Sequence, residues 1–109
     1  MIDRARITGF EWDDGNVRKS ATKHGVTQAE AEQVFFSEPL LLAPESKHSQ
    51  REPRYHALDR TDAGRLLHIT CTLRAAGALI RVISARDLHR QERTIYAQAT
   101  GAQRQEGAP

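Results

Sequence analysis

Three β-prone runs crowd the second half of the chain, Arg54 to Arg60, Arg65 to Leu73 and Leu79 to Ala85, separated only by Thr-Asp-Ala-Gly and Arg-Ala-Ala-Gly-Ala. Connections that short join antiparallel neighbours and leave no room for a crossover helix, so the runs predict an antiparallel meander. In the middle run Leu67, Ile69, Cys71 and Leu73 share one face, while Leu66, His68, Thr70 and Thr72 share the other. The second face is the more polar one, and a ligand could lie on it.

The third run passes directly into a helix through Ser84-Ala-Arg-Asp-Leu-His89. Strict alternation places Leu79, Arg81, Ile83 and Ala85 on one face and Ile80, Val82, Ser84 and Arg86 on the other, so its two arginines leave opposite faces. Asp87 or Ser84 can cap the following helix, whose free N–H groups, with Arg86, suit a phosphate oxygen. The competing reading is that Arg81 and Arg86 are solvated or salt-bridged, with Glu92 as a candidate partner for either. The helix is expected to turn Leu88, Ile95 and Ala99 inward, with its pattern ending near Gln98 and residues 99–109 forming a flexible tail.

The first half reads as helices flanked by short extended segments. Ile7 to Trp12 is a strand or an anchor, with Trp12 in the core, and Asp13 or Asp14 offers an N-cap for a helix with Val17, Ala21 and His24 at helical spacing. Gly25 ends that helix in a left-handed conformation. Thr27-Gln-Ala-Glu30 then spells a capping box, with Val26 as its staple, for a second helix bearing Ala31, Val34 and Phe35 that stops before Pro39. Leu40 to Ala43, between two prolines, reads as an edge strand, and Glu45 to Pro53 as a polar loop carrying Lys47 and His48. The expected fold is α+β: a small antiparallel sheet, a three-strand meander plus one or two N-terminal strands, with two N-terminal helices and one C-terminal helix.

The 109 residues, 39% apolar and 28% charged, suffice for one domain with a modest core, here residues 1–98. One cysteine, Cys71, cannot form an internal disulfide and sits in an apolar run, which suits a core position and a reducing cytoplasm. No stretch is apolar enough for a membrane span. Charge is unevenly spread: residues 1–45 carry five basic and eight acidic side chains, residues 46–109 eleven basic, ten of them arginine, and six acidic. An arginine-rich half suits a polyanion, or equally an acidic protein partner.

The five histidines, at 24, 48, 56, 68 and 89, follow no metal-ligand spacing, and no cofactor is implied. Glycine-rich phosphate loops, nucleophile elbows and dinucleotide fingerprints are missing from the sequence. Arginine and histidine on a small sheet suit metal-free RNA cleavage, in which a base activates a ribose 2′-hydroxyl and guanidinium groups stabilise the phosphate.

Four separated motifs carry a resemblance. Phe10-Glu-Trp-Asp13, Lys23-His-Gly-Val26 before a helix containing Val34-Phe-Phe36, Glu52-Pro-Arg-Tyr55, and Ile80-Arg-Val-Ile-Ser-Ala-Arg86 leading to Glu92 and Tyr96 resemble the BrnT toxins in order and spacing over residues 8–98. The resemblance implies a RelE-like ribonuclease fold and the toxin of a type II toxin–antitoxin pair, an endoribonuclease that cuts messenger RNA and inhibits translation. It implies a ribbon-helix-helix, BrnA-like antitoxin that forms a hetero-oligomer with the toxin and binds operator DNA. It falls on Lys23, His24, Glu52, Arg54, Tyr55, Arg81, Ser84, Arg86, Glu92 and Tyr96 without naming each role; of these Arg54, Arg81, Arg86, His24 and Glu52 are the catalytic candidates, and Lys23, Tyr55, Ser84 and Tyr96 the RNA contacts, with Thr72 added from the polar strand face.

Each of these residues has a structural alternative. Arg54 could bridge across the sheet rim, His24 could be a packing histidine, and Lys23 could complement a helix end. Tyr96 could be a core aromatic, while Glu52 and Glu92 could partner arginines, and Pro53 puts the placement of Glu52 in doubt. The alternative for the whole chain is a non-catalytic module that docks an acidic antitoxin and acts as co-repressor.

Overall fold

The structure, a computed structural model, describes residues 2–45 and 52–107. Five strands, β1 (Gly9–Glu11), β2 (Leu41–Glu45), β3 (Arg54–Arg60), β4 (Leu66–Arg74) and β5 (Leu79–Asp87), form one mixed sheet in the order β1-β5-β4-β3-β2. Helices α1 (Asp14–His24) and α2 (Gln28–Val34) lie between β1 and β2 in the chain, and α3 (Arg90–Gly107) follows β5. The α+β class and the β3-β4-β5 meander match the sequence reading. The short first segment does pair, parallel to β5, so the sheet is mixed rather than wholly antiparallel. The segment expected to carry Lys47 and His48 lies outside the described residues.

Local chemistry accounts for the helix boundaries. Gly25, at φ +63°, ends α1 where a Cβ would be strained. Two residues on, the Thr27 hydroxyl accepts from the Glu30 N–H and the Glu30 carboxylate accepts from the Thr27 N–H, completing the capping box. Arg65 locks this corner to the sheet, donating to the His24 and Gly25 carbonyls and pairing with Glu30 and with Asp87 at 2.8 Å. Strand β2 runs on through Pro44 to Glu45. An edge strand tolerates proline because one row of its N–H groups has no ladder to join.

The core lies between α1–α2 and one sheet face, built from Val26, Ala31, Val34, Phe35, Ala57, Leu67, Ile69, Cys71, Ile80, Val82 and Ala85. Helix α1 departs from its expected packing: Ala21 and His24 are exposed, and among its described side chains the buried one is Asn16. Its amide donates to the Glu11 and Val82 carbonyls at 2.9 and 3.0 Å, and its Oδ1 accepts from the Asp13 N–H. Asp13 caps the helix through the Gly15 and Asn16 N–H groups. A buried amide with all these partners replaces an apolar stripe in fixing the helix to β1 and β5. Trp12 is only half-buried, its indole donating to Glu32 at 2.7 Å.

Helix α3 also differs. Leu88 is buried and Ala99 half-buried as expected, but Ile95 is 54% exposed and Tyr96, 7% exposed, takes the inward place instead. The helix continues past Gln98 to Gly107. Neither Asp87 nor Ser84 caps it: Asp87 is held by Arg65, and the His89 N–H donates instead to Glu92 Oε1 at 2.9 Å.

Candidate active site on the open sheet face

Cross-strand register decides which side chains meet. On the face opposite the core, Arg54, Thr72 and Arg81 form one rung across β3, β4 and β5, His56, Thr70 and Ser84 the next, and Leu58, His68 and Arg86 the third. Arg81 and Arg86 therefore share a face, contrary to strict alternation. The cause is a β-bulge: Thr70 pairs with Ser84 and Cys71 with Val82, leaving Ile83 without a partner on β4. One extra residue reverses the parity of everything beyond it. Burial agrees, since Ile80, Val82 and Ala85 are the inward residues of β5.

At the third rung a chain of polar contacts runs across the face. Glu92, brought over the sheet by the first turn of α3, takes both nitrogens of Arg86, at 2.7 and 3.0 Å. Its Oε2 lies 2.6 Å from His68 Nδ1, and His68 Nε2 lies 2.7 Å from His56 Nδ1. Beyond, His56 Nε2 stands 3.4 Å from Glu45 Oε1 on β2, and Thr70 Oγ1 lies 3.3 Å from His56 Nδ1.

Burial would push the Glu92 carboxyl up, but Arg86, the His89 N–H and His68 together override it and hold the group at about 2. His68 is held below its ordinary value, mainly by burial and also by Arg86 and His56, against the pull of Glu92. The array thus contains a fixed carboxylate, a neutral imidazole and a second imidazole whose side chain is 30% exposed.

The first rung is a ladder of ion pairs. Arg81 lies 3.0 Å from Glu11 and 2.9 Å from Asp13, while Arg74 contacts Glu52 and lies 3.5 Å from Glu11. Glu52 is therefore an arginine partner at the rim, as its loop position allowed. Arg54, half-buried at the start of β3, also lines an apolar cleft of about 300 Å³ with Ile2, Leu42, Pro44, Pro53 and Tyr55.

The sequence candidates distribute unevenly over this frame. Arg54, Arg81, Arg86, Ser84 and Thr72 come together on the open face; Thr72 is buried there and donates to the Pro53 carbonyl at 2.7 Å. Tyr55 points the other way, half-buried against the core. Lys23 and His24 lie exposed at the end of α1, on the far side of the sheet, so His24 is neither a packing histidine nor a neighbour of the open face. Tyr96 is turned inward, its hydroxyl donating to the buried Asp59 at 2.9 Å.

Two residues of the array, His56 and His68, were not among the sequence candidates. The available signal was the polar face of β4, which already included His68; His56 joins it only through the register set by the Thr61–Arg65 turn.

The open face of this five-stranded α+β domain gathers arginine, imidazole and a fixed carboxylate, groups able to hold an anion and to move a proton. A family model described as "Ribonuclease toxin, BrnT, of type II toxin-antitoxin system" matches residues 12–92, and the chain belongs to this family. None of the curated proteins compared with the chain matches it. Membership makes it a type II ribonuclease toxin with an antitoxin as partner. Among the described residues no helix is long and apolar enough to cross a membrane.

Proposed function

We propose that this toxin is a metal-independent endoribonuclease that cuts messenger RNA in the cytoplasm and stops translation. A ribbon-helix-helix antitoxin silences it by covering the open face and supplies the only route to operator DNA. The observation that carries this reading is the register: it sets Arg54, His56, Ser84 and Arg86 on one face around Thr70. Guanidinium groups beside an imidazole are what attack of a 2′-oxygen on its neighbouring phosphorus requires, one to stabilise charge on the phosphate and the other to move a proton. Each His68 nitrogen is directed at a carboxylate or at His56 rather than at a common point, a geometry suited to proton handling.

Incubation of the purified chain with RNA in EDTA tests this. Fragments ending in 2′,3′-cyclic phosphate and 5′-hydroxyl are expected. RNA left intact over a wide range of protein concentration would support the non-catalytic module instead.

A further inference from the structure

The contacts among His56, His68, Glu92 and Arg86 favour one placement of the protons. His68 Nδ1 faces Glu92 Oε2 at 2.6 Å and Arg86 Nη2 at 3.0 Å; Arg86 already gives both terminal nitrogens to the ionised carboxylate, so the nearer Glu92 oxygen is the acceptor and His68 Nδ1 carries the hydrogen donated to it. His68 Nε2 is then a lone pair. At 2.7 Å from His56 Nδ1 it can only accept, which places a hydrogen on His56 Nδ1 and leaves the lone pair on His56 Nε2, on the Glu45 side of the ring. His56 is the more exposed of the two imidazoles, with 30% of its side chain accessible against 11% for His68.

We infer that His56 Nε2 takes the ribose 2′-hydroxyl proton, and that His68, Glu92 and Arg86 are positioning residues that hold His56 in the tautomer able to do so. The inference rests on the ribonuclease reading. In the step itself the 2′-O–H bond breaks and its proton ends on His56 Nε2, the 2′-O–P bond forms and the P–O5′ bond breaks. The departing 5′-oxygen takes a proton from water and the hydroxide left behind takes the proton from His56 Nε2, giving a 2′,3′-cyclic phosphate, a 5′-hydroxyl and the neutral imidazole again.

The surroundings favour the state reached after proton transfer. Once His56 holds two N–H groups, one points at His68 Nε2 and the other at Glu45 Oε1, 3.4 Å away, so all four ring nitrogens of the pair are matched. Burial keeps His68 from taking a second proton of its own. The charged and titratable groups around His56 are Glu45 on β2, Arg54 on its own strand, His68 on β4, Arg86 on β5 and Glu92 on α3. Two carboxylates flank the imidazole pair, and the positive charge on His56 is accommodated between them.

Cleavage of a short RNA in EDTA, followed from acid to neutral pH, tests this together with imidazole nitrogen NMR of the wild-type chain. The wild-type rate is expected to rise with pH as one histidine loses its proton. His56→Ala is expected to cleave about 10² to 10⁴ times more slowly, with part of the rate restored by added imidazole. His68→Gln is expected to lower kcat with little change in KM and to displace the rising limb. The NMR spectrum is expected to show His68 neutral with its hydrogen on Nδ1. A wild-type chain inert towards RNA overturns both the ribonuclease reading and this role. A wild-type chain that cleaves while His56→Ala matches it in rate and pH profile overturns only the role of His56. A His68 hydrogen on Nε2 overturns the relay even where the variants do not fold.

Discussion

Glu92→Ala is expected to lower the stability of the fold by about 3 kcal/mol near pH 6, a loss typical of stripping one partner from a partly buried ion pair. The substitution leaves the Arg86 guanidinium without its two-pronged acceptor, His68 Nδ1 without a carboxylate and the His89 N–H without a cap, all at once. The effect carries its own pH signature. The folded Glu92 carboxyl lies at about 2 against an ordinary 4.5, so its stabilisation is fully present above pH 4.5 and is lost as pH falls towards 2. His68 acts in the same sense: its folded value is depressed below 6.5, so stability falls once pH drops below that point and the unfolded chain binds the extra proton. Urea melts of both proteins at pH 6 and pH 3 check this. The gap between them should be wide at pH 6 and narrow at pH 3; a gap of the same size at both would show that Glu92 is not an ionised partner.

Arg54→Ala and Arg81→Ala are expected to separate, although both residues sit on one rung. Arg54→Ala should cut the RNA cleavage rate by about 10² to 10³, the cost of removing one group that stabilises charge on the reacting phosphate. Arg81 is already committed to Glu11 and Asp13, and Asp13 caps α1. Its removal leaves two carboxylates facing each other where β1, β5 and α1 meet, so the thermal melt should move and the rate should fall less. Rate and melt measured on the same samples decide the matter. Equal losses of rate in both variants, with both melts unmoved, would place Arg81 in the chemistry alongside Arg54.

The contrast between these arginines shows what a linear reading can and cannot reach. Features written within a few neighbouring residues were legible: the Thr27–Glu30 box, the Gly25 stop and the turns separating β3, β4 and β5 follow from local hydrogen bonding and allowed backbone angles. That Glu92 holds an arginine was legible too, though that the arginine is Arg86 rather than Arg81 was not. What escaped depends on register. The bulge at Ile83 reverses the parity of β5, and no residue type announces it, so Arg81 and Arg86 appeared to diverge when they share a face. His56 and His68 are twelve positions apart and meet only because the Thr61–Arg65 turn sets the β3–β4 pairing. Asn16 escaped for another reason: a helix held by a buried amide carries no apolar period to detect. In α3, Tyr96 takes the inward place expected for Ile95 because its hydroxyl reaches the buried carboxylate of Asp59, a partner that hydropathy does not register.

Open-face recognition of RNA is the claim on which the rest depends, and one titration addresses it directly. The labelled chain is mixed with a short RNA whose 2′-hydroxyls are methylated, so that it binds without being cut, and NMR shifts are mapped residue by residue. The expected result is that Arg54, His56, Thr70 and Ser84 move most while the α1–α2 side of the sheet stays quiet. Shifts confined to the α1–α2 side, with His56 and His68 unmoved at saturation, would contradict it.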